Sequence, residues 1–205
     1  PVNLNAIEQF EELNTRYTFL DEQRTDLREA KATLEQIIQE MDQEVKDRFK
    51  ATFHAVQGHF TEVFKSLFDG GEAELRLTDD DYLSAGVEIV VQPPGKKLQH
   101  LSLLSGGERA LSAIALLFAI LKVRSAPFVI LDEVEAALDE ANVIRYAQYL
   151  RQLSEQTQFI VITHRKGTME YSDRLYGVTM QESGVSKLVS VNLNTIDEVM
   201  EEEQT

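Results

Sequence analysis

The chain has no cysteine, which excludes disulfide scaffolds, cysteine zinc sites and thiol catalysis, and fits a reducing compartment. It is also poor in positive charge: 20 Lys and Arg stand against 35 Asp and Glu, a formal charge of −15. That balance opposes binding to nucleic acid by electrostatics alone, so a DNA contact needs a local basic patch or another chain. No apolar run reaches membrane length. The longest, from Ala110 to Leu121, is interrupted by Ser112 and falls short of the roughly 20 residues of a span, so no membrane association is expected. The start at Pro1 is acidic and polar and resembles neither a secretory leader nor a translation start, so a piece of a longer chain is expected. Between Val2 and Gln57 there is neither glycine nor proline, and nothing there stops a helix.

With 43% hydrophobic residues in 205, a buried core is available. The length suits one large domain, or one domain with an appendage, at about 100–200 residues per domain. Along the glycine-free stretch the apolar residues fall three and four apart: Phe10, Leu13, Tyr17, Leu20, Leu27, Leu34, Ile38, Met41 and Val45. Arg24 and Lys31 occupy two of the expected apolar positions. A helix of this length, at about 1.5 Å per residue, exceeds about 70 Å and is too long for one compact domain. Its narrow seam must be buried against another helix. A long amphipathic helix lying on its own domain is the alternative, but the spacing stays near that of a coiled coil. After Lys46 the pattern widens to Phe49, Phe53, Val56, Phe60, Val63, Phe64, Leu67 and Phe68, as expected where a helix enters a globular body or meets a second partner.

Asp69-Gly70-Gly71 ends the helix, with glycine supplying the left-handed cap. Alternation over Ala73, Leu75 and Leu77, then Val87, Ile89 and Val91, predicts an antiparallel strand pair. Beyond it the pattern is α/β: a helix over 108–123, a buried strand over 128–131, a helix over 140–155, a buried strand over 159–163, and two β-rich segments at 174–180 and 185–193. The strand, helix, strand order predicts parallel pairing. The acidic end, 197–205, reads as a solvated tail.

Three short segments carry chemistry. Leu104-Ser105-Gly106-Gly107-Glu108 opens a helix with a capping-box spacing, and its glycines admit another molecule close to the backbone. The bare N–H groups make a plausible anion site, and an ordinary capped helix is the plain alternative. Phe128-Val129-Ile130-Leu131-Asp132-Glu133 reads as a buried strand delivering two carboxylates to a sheet edge, one suited to Mg²⁺ on nucleotide phosphates and the other to polarising water. Many strands end in acidic loops without such a role. Phe159-Ile160-Val161-Ile162-Thr163-His164 delivers a histidine able to bond a phosphate or orient a water, or simply to bond its own neighbours, with Thr163 and Arg165 also available. His54, His59 and His100 show no metal-ligand spacing.

In this order and spacing, the three segments resemble the C-terminal half of an ABC-type ATPase head. They most resemble the structural maintenance of chromosomes (SMC) proteins of the bacterial condensin type. Leu104 to Glu108 resemble the ABC signature, with Glu108 where transporters usually have Gln. Pro127 to Asp139 resemble the SMC Walker B strand and D-loop, and Val161-Ile162-Thr163-His164-Arg165 the switch segment. The resemblance covers nearly the whole chain. It implies an α/β fold, the C-terminal lobe of an ABC-type head with a mixed sheet and flanking helices, preceded by a long coiled-coil helix. The implied domains are an arm and neck helix over 1–68, the lobe over 69–196 and the tail.

By the same resemblance, Asp132 holds Mg²⁺ through water, Glu133 is the general base and His164 senses the γ-phosphate. Ser105, Gly106, Gly107 and Glu108 contact a nucleotide held mainly by the opposite head. Leu138 and Asp139 lie at the junction of two heads. The implied cofactors are ATP and Mg²⁺. The implied partners are an N-terminal half carrying the P-loop, a second SMC head in a homodimer, a kleisin subunit and, through the whole complex, DNA. A cytoplasmic, nucleoid-associated location and ATP-driven head engagement for chromosome condensation and segregation follow. Phe49, Phe53, Val56 and Phe60 form a stripe that could meet the kleisin or pack within the chain. Arg109, Lys122 and Arg124 could touch DNA or be scattered surface charges.

No segment fits Gly-x-x-x-x-Gly-Lys-Ser/Thr, since Gly95-Lys96 is followed by Lys97 and lacks the earlier glycine. Without that phosphate cradle the chain is not expected to hydrolyse ATP alone. The other readings are a related long-coiled-coil DNA-repair ATPase and a mainly non-catalytic kleisin-binding scaffold fragment. A transporter subunit fits less well, because it would not carry a long heptad arm.

Overall fold

The computed structural model describes residues 6–182 and 184–193, so the acidic tail lies outside the described residues. Helix α1 spans Ala6–Phe68, as the absence of early breakers requires. Strands β1 (Glu72–Leu77), β2 (Val87–Gln92) and β3 (Gln99–His100) and a 3₁₀ turn (Leu101–Leu103) follow. Then come α2 (Gly106–Val123), β4 (Phe128–Asp132), α3 (Glu140–Leu153), β5 (Gln158–Ile162), a short α4 (Lys166–Met169), β6 (Arg174–Glu182) and β7 (Val185–Asn192).

The chain forms two compact units, Pro1–Ala51 with Asp81–Ser84, and Thr52–Asp80 with Ala85–Thr205. The division falls inside α1, at Ala51, rather than at the expected Phe68. The reason is burial: Phe53, Val56, Phe60, Val63, Phe64, Leu67 and Phe68 are all core residues. In the first unit the apolar seam from Phe10 to Val45 is exposed. There the turn residues Asp81 and Tyr82 meet the helix, Asp81 through Lys46 Nζ at 3.4 Å and Tyr82 edge-on to Phe49 with ring centres 6.1 Å apart.

In the second unit, α1 lies along β1. Gln57 donates to the Leu75 carbonyl at 2.7 Å and Thr61 to that of Ala73 at 2.7 Å, so two backbone acceptors of the strand find side-chain donors. The left-handed helix cap falls on Asp69, at φ 57°, one residue before the expected glycines. Gly70 N–H closes the turn on the Lys65 carbonyl at 2.9 Å. Gly71 is the glycine that close approach demands, since a Cβ there would lie 2.3 Å from the Gln92 carbonyl oxygen.

The expected antiparallel pair β1–β2 forms, with Leu75 opposite Ile89. The expected parallel pair β4–β5 forms with Ile130 opposite Ile160 and Asp132 opposite Ile162. Parallel and antiparallel strands are thus both present, distributed over three sheets: β1-β2-β3, β4-β5 and β6-β7. Leu131 is buried, as are Leu111, Ile114, Phe118, Val143 and Tyr146 of α2 and α3. The Phe118 ring stacks on Tyr146 and Tyr149, with centres 5.9 and 5.4 Å away. On the other side of β4–β5, Phe128, Ile130, Ile160 and Ile162 are exposed, although parallel strands ordinarily have both faces covered. Among the described residues no helix is long and apolar enough to cross a membrane.

Candidate functional site

Side chains alternate along a strand, so Asp132 shares the open face of β4–β5 with Ile130. It is exposed at the strand's carboxyl end, where ligands of α/β sheets bind. The next residue, Glu133, leaves the strand in the left-handed region at φ 47°, a conformation that costs a non-glycine residue about 1–3 kcal/mol and clusters at functional sites. Its N–H donates to the Ile162 carbonyl at 3.0 Å, tying it to the end of β5. His164 follows two residues later, and its Nδ1 lies 3.2 Å from Glu133 Oε1. Both side chains are more than half exposed.

The glycine segment enters α2 as the capping box that its spacing predicts. Glu108 Oε2 accepts from the Ser105 N–H at 3.2 Å and the Ser105 hydroxyl at 2.7 Å. Lys96, from the turn after β2, reaches Glu108 Oε1 at 2.8 Å. The Lys96 ammonium first, and the Ser105 hydroxyl next, hold the Glu108 carboxyl below the usual carboxylate range. Gly106 leaves open space where a Cβ would stand, whereas a Cβ at Gly107 would come 3.1 Å from the Ala137 carbonyl oxygen. The N-terminus of α2 therefore packs against the loop after β4. Leu138 is buried in its own chain, and Asp139 caps α3, accepting from the Asn142 N–H at 2.9 Å.

Other candidates have local roles. Phe53, Val56 and Phe60 of the aromatic stripe are buried within the chain. Arg109 donates to the Ser102 and Leu104 carbonyls, each at 3.2 Å, and Lys122 lies 3.6 Å from Glu62. Among the described residues no three His, Asp or Glu side chains gather as a metal site.

Sequence reasoning gave no role to Glu135. This carboxyl is fully buried, and its Oε1 accepts from the hydroxyls of Thr163 at 2.5 Å and Thr168 at 2.9 Å. Burial pushes the neighbouring Tyr146 phenol far above its usual range, and the charge of Glu135 adds to the effect. The only signal in the sequence is an acid three residues past the strand end, which looks the same whether it faces solvent or core.

An acidic strand edge with a histidine beside it and a capped glycine helix packed against the same loop define an α/β head led by a long helix. The family model for the RecF/RecN/SMC N terminal domain matches residues 6–187, and the chain belongs to that family. The chromosome partition protein Smc of Bacillus subtilis (strain 168) is 67% identical over 201 residues, 98% of this chain but 17% of that protein. The chain thus spans a small part of such a relative. The Smc head domain with an extended coiled coil bound to the C-terminal domain of ScpA, from Pyrococcus furiosus, is 40% identical with a TM-score of 0.77, covering 97% of this chain and 50% of that one. A structure from the structural biochemistry of ATP-driven dimerization and DNA stimulated activation of SMC ATPases is 41% identical with a TM-score of 0.67, covering 78% of this chain and 98% of that one.

Proposed function

We propose that this chain is the C-terminal half of the head of an SMC ATPase of the bacterial condensin type, acting in chromosome condensation and segregation. In this role it supplies one wall of an ATP site shared between two heads. The observation that carries the reading is the open β4–β5 pair: an apolar face bare beside Asp132, with Glu133 and His164 at its edge. A P-loop-bearing N-terminal half laid on that face would cover it and bring the phosphates to the acidic end. The exposed seam of α1 would then pair with the returning strand of an antiparallel coiled coil.

The residues fit part of an ATP–Mg²⁺ site. The Asp132 carboxylate is exposed at the strand end, as suits a group that holds hydrated Mg²⁺. When bound, Mg²⁺ neutralises charge developing on the transferring phosphoryl group. Glu133 takes the proton of the attacking water, and His164, hydrogen-bonded to it, bonds the γ-phosphate. The helix N-terminus at Ser105, Gly106 and Gly107, braced by Glu108, receives the γ-phosphate of the nucleotide on the opposite head, with Leu138 and Asp139 beside that junction. Because the site is shared, ATP binds the engaged state better than the separated one, and only such a difference can drive engagement.

The likeness to a head bound to ScpA supports a kleisin partner. The likeness to Smc over 98% of this chain favours the SMC branch over the DNA-repair alternative, and with it a cytoplasmic, nucleoid-associated protein that reaches DNA through the whole complex. By itself the chain, with no P-loop in its sequence, acts as a scaffold fragment. In the full-length protein, Glu133→Gln is expected to keep ATP binding, abolish steady-state hydrolysis and trap engaged heads; hydrolysis equal to that of the unaltered protein would refute the base assignment.

A further inference from the structure

The mechanism above makes no use of a fully buried carboxyl near the site. Glu135 has none of its surface exposed, and its Oε2, like Tyr146 Oη and Arg165 Nε nearby in the fold, finds no hydrogen-bond partner. A buried carboxyl with an unpaired oxygen costs stability, and its partners indicate what it contributes instead. Both hydroxyls on Oε1 come from the segment after β5, 28 and 33 residues further along the chain. Thr163 immediately precedes His164, and the same hydroxyl that donates to Glu135 accepts the Arg165 N–H at 3.0 Å. The backbone is therefore fixed on both sides of His164. Arg165 closes a second tie, donating to the Leu138 carbonyl at 2.8 Å, while the Leu138 N–H donates to the Glu135 carbonyl at 2.9 Å.

We propose that Glu135 is a positioning residue for hydrolysis: through Thr163 and Thr168 it clamps the loop after β4 to the segment after β5, and so holds Glu133 and His164 at hydrogen-bond distance. The proposal rests on Glu133 being the general base. It assigns to Glu135 no contact with nucleotide or metal. Its effect falls on the chemical step, because the groups it aligns act there and displacement by about 1 Å can cost about 100-fold in rate. Binding of ATP, held mainly by the opposite wall, stays as it was.

Steady-state ATP hydrolysis by the full-length protein tests this, with ATP affinity measured separately. Glu135→Ala and Thr163→Val are each expected to lower kcat by about 10–100-fold with KM and ATP affinity within about twofold. Glu135→Gln and Thr163→Ser keep an acceptor or donor at the same place and are expected to retain kcat within about threefold. Since Glu135→Ala and Thr163→Val both break the Glu135–Thr163 bond, the loss in the double variant should fall short of the product of the two single losses. The clamp is overturned if Glu135→Ala and Thr163→Val both keep normal kcat, if kcat and ATP affinity fall together, or if the two losses multiply. Should Glu135→Ala fail to fold, the contrast of Thr163→Val with Thr163→Ser decides in the same way. Glu133→Gln run alongside separates the failures: if it hydrolyses ATP normally, the general-base reading falls; if it is inactive while the clamp variants are not, only the clamp falls.

Discussion

Two stretches of α1 carry apolar residues three and four apart, a narrow seam in the first and a wider face in the second, and treat them differently. From Phe53 to Phe68 they are buried, with Phe60, Val63, Phe64 and Leu67 wholly inside the second unit, whereas from Phe10 to Val45 every seam residue is exposed, Leu27 at 69%. The outer face of β4–β5 sides with the second group, with Ile130 at 58% exposure. A helix seam and a parallel sheet face are both unstable as open apolar surfaces. The buried stretch finds its cover within the second unit, and on the function proposed above the open surfaces receive theirs from the N-terminal half of the head.

Substitutions sharpen that contrast. The largest effect is expected from Phe64→Ala, which removes a buried ring stacked on Phe68 at 4.1 Å; it should cost about 3–5 kcal/mol, read as a denaturant midpoint in this chain and in the full-length protein alike. Ile130→Asp should depend on context. In this chain it is expected to change stability by less than about 0.5 kcal/mol, but in the full-length head it places an unpaired charge under the covering half and should cost about 3 kcal/mol or more. Equal effects in the two settings would mean that the face stays open. Leu27→Ala is the smallest, below about 0.5 kcal/mol in this chain, and a loss as large as that of Phe64 would show the seam already covered.

Much of this was legible beforehand, for physical reasons. The uninterrupted helix, the capping box at Ser105 and Glu108 and the parallel β4–β5 pair rest on local spacing, which a sequence displays directly. The two-residue β3, the 3₁₀ turn and the four-residue α4 are too short to show a period. The left-handed cap falls on Asp69, where the local Gly70 N–H to Lys65 carbonyl bond closes the last turn; the Asp-Gly-Gly run displays the stop but not which residue takes the positive φ. Glu135 was hidden because its partners, Thr163 and Thr168, are distant in sequence and brought to it by β5. His164 stands out in the sequence as a candidate at a strand end, but the two hydroxyl contacts beside it, from Thr163 and Thr168 to Glu135, required coordinates.

The central claim is that these residues furnish an incomplete nucleotide site. ATP hydrolysis and dimerisation by the purified 205-residue chain, alone and mixed with a P-loop-containing N-terminal half, test it most directly. The account predicts no turnover alone, and ATP-dependent dimers with hydrolysis on mixing. Turnover by the unmixed chain, free of contaminating ATPase, would contradict it.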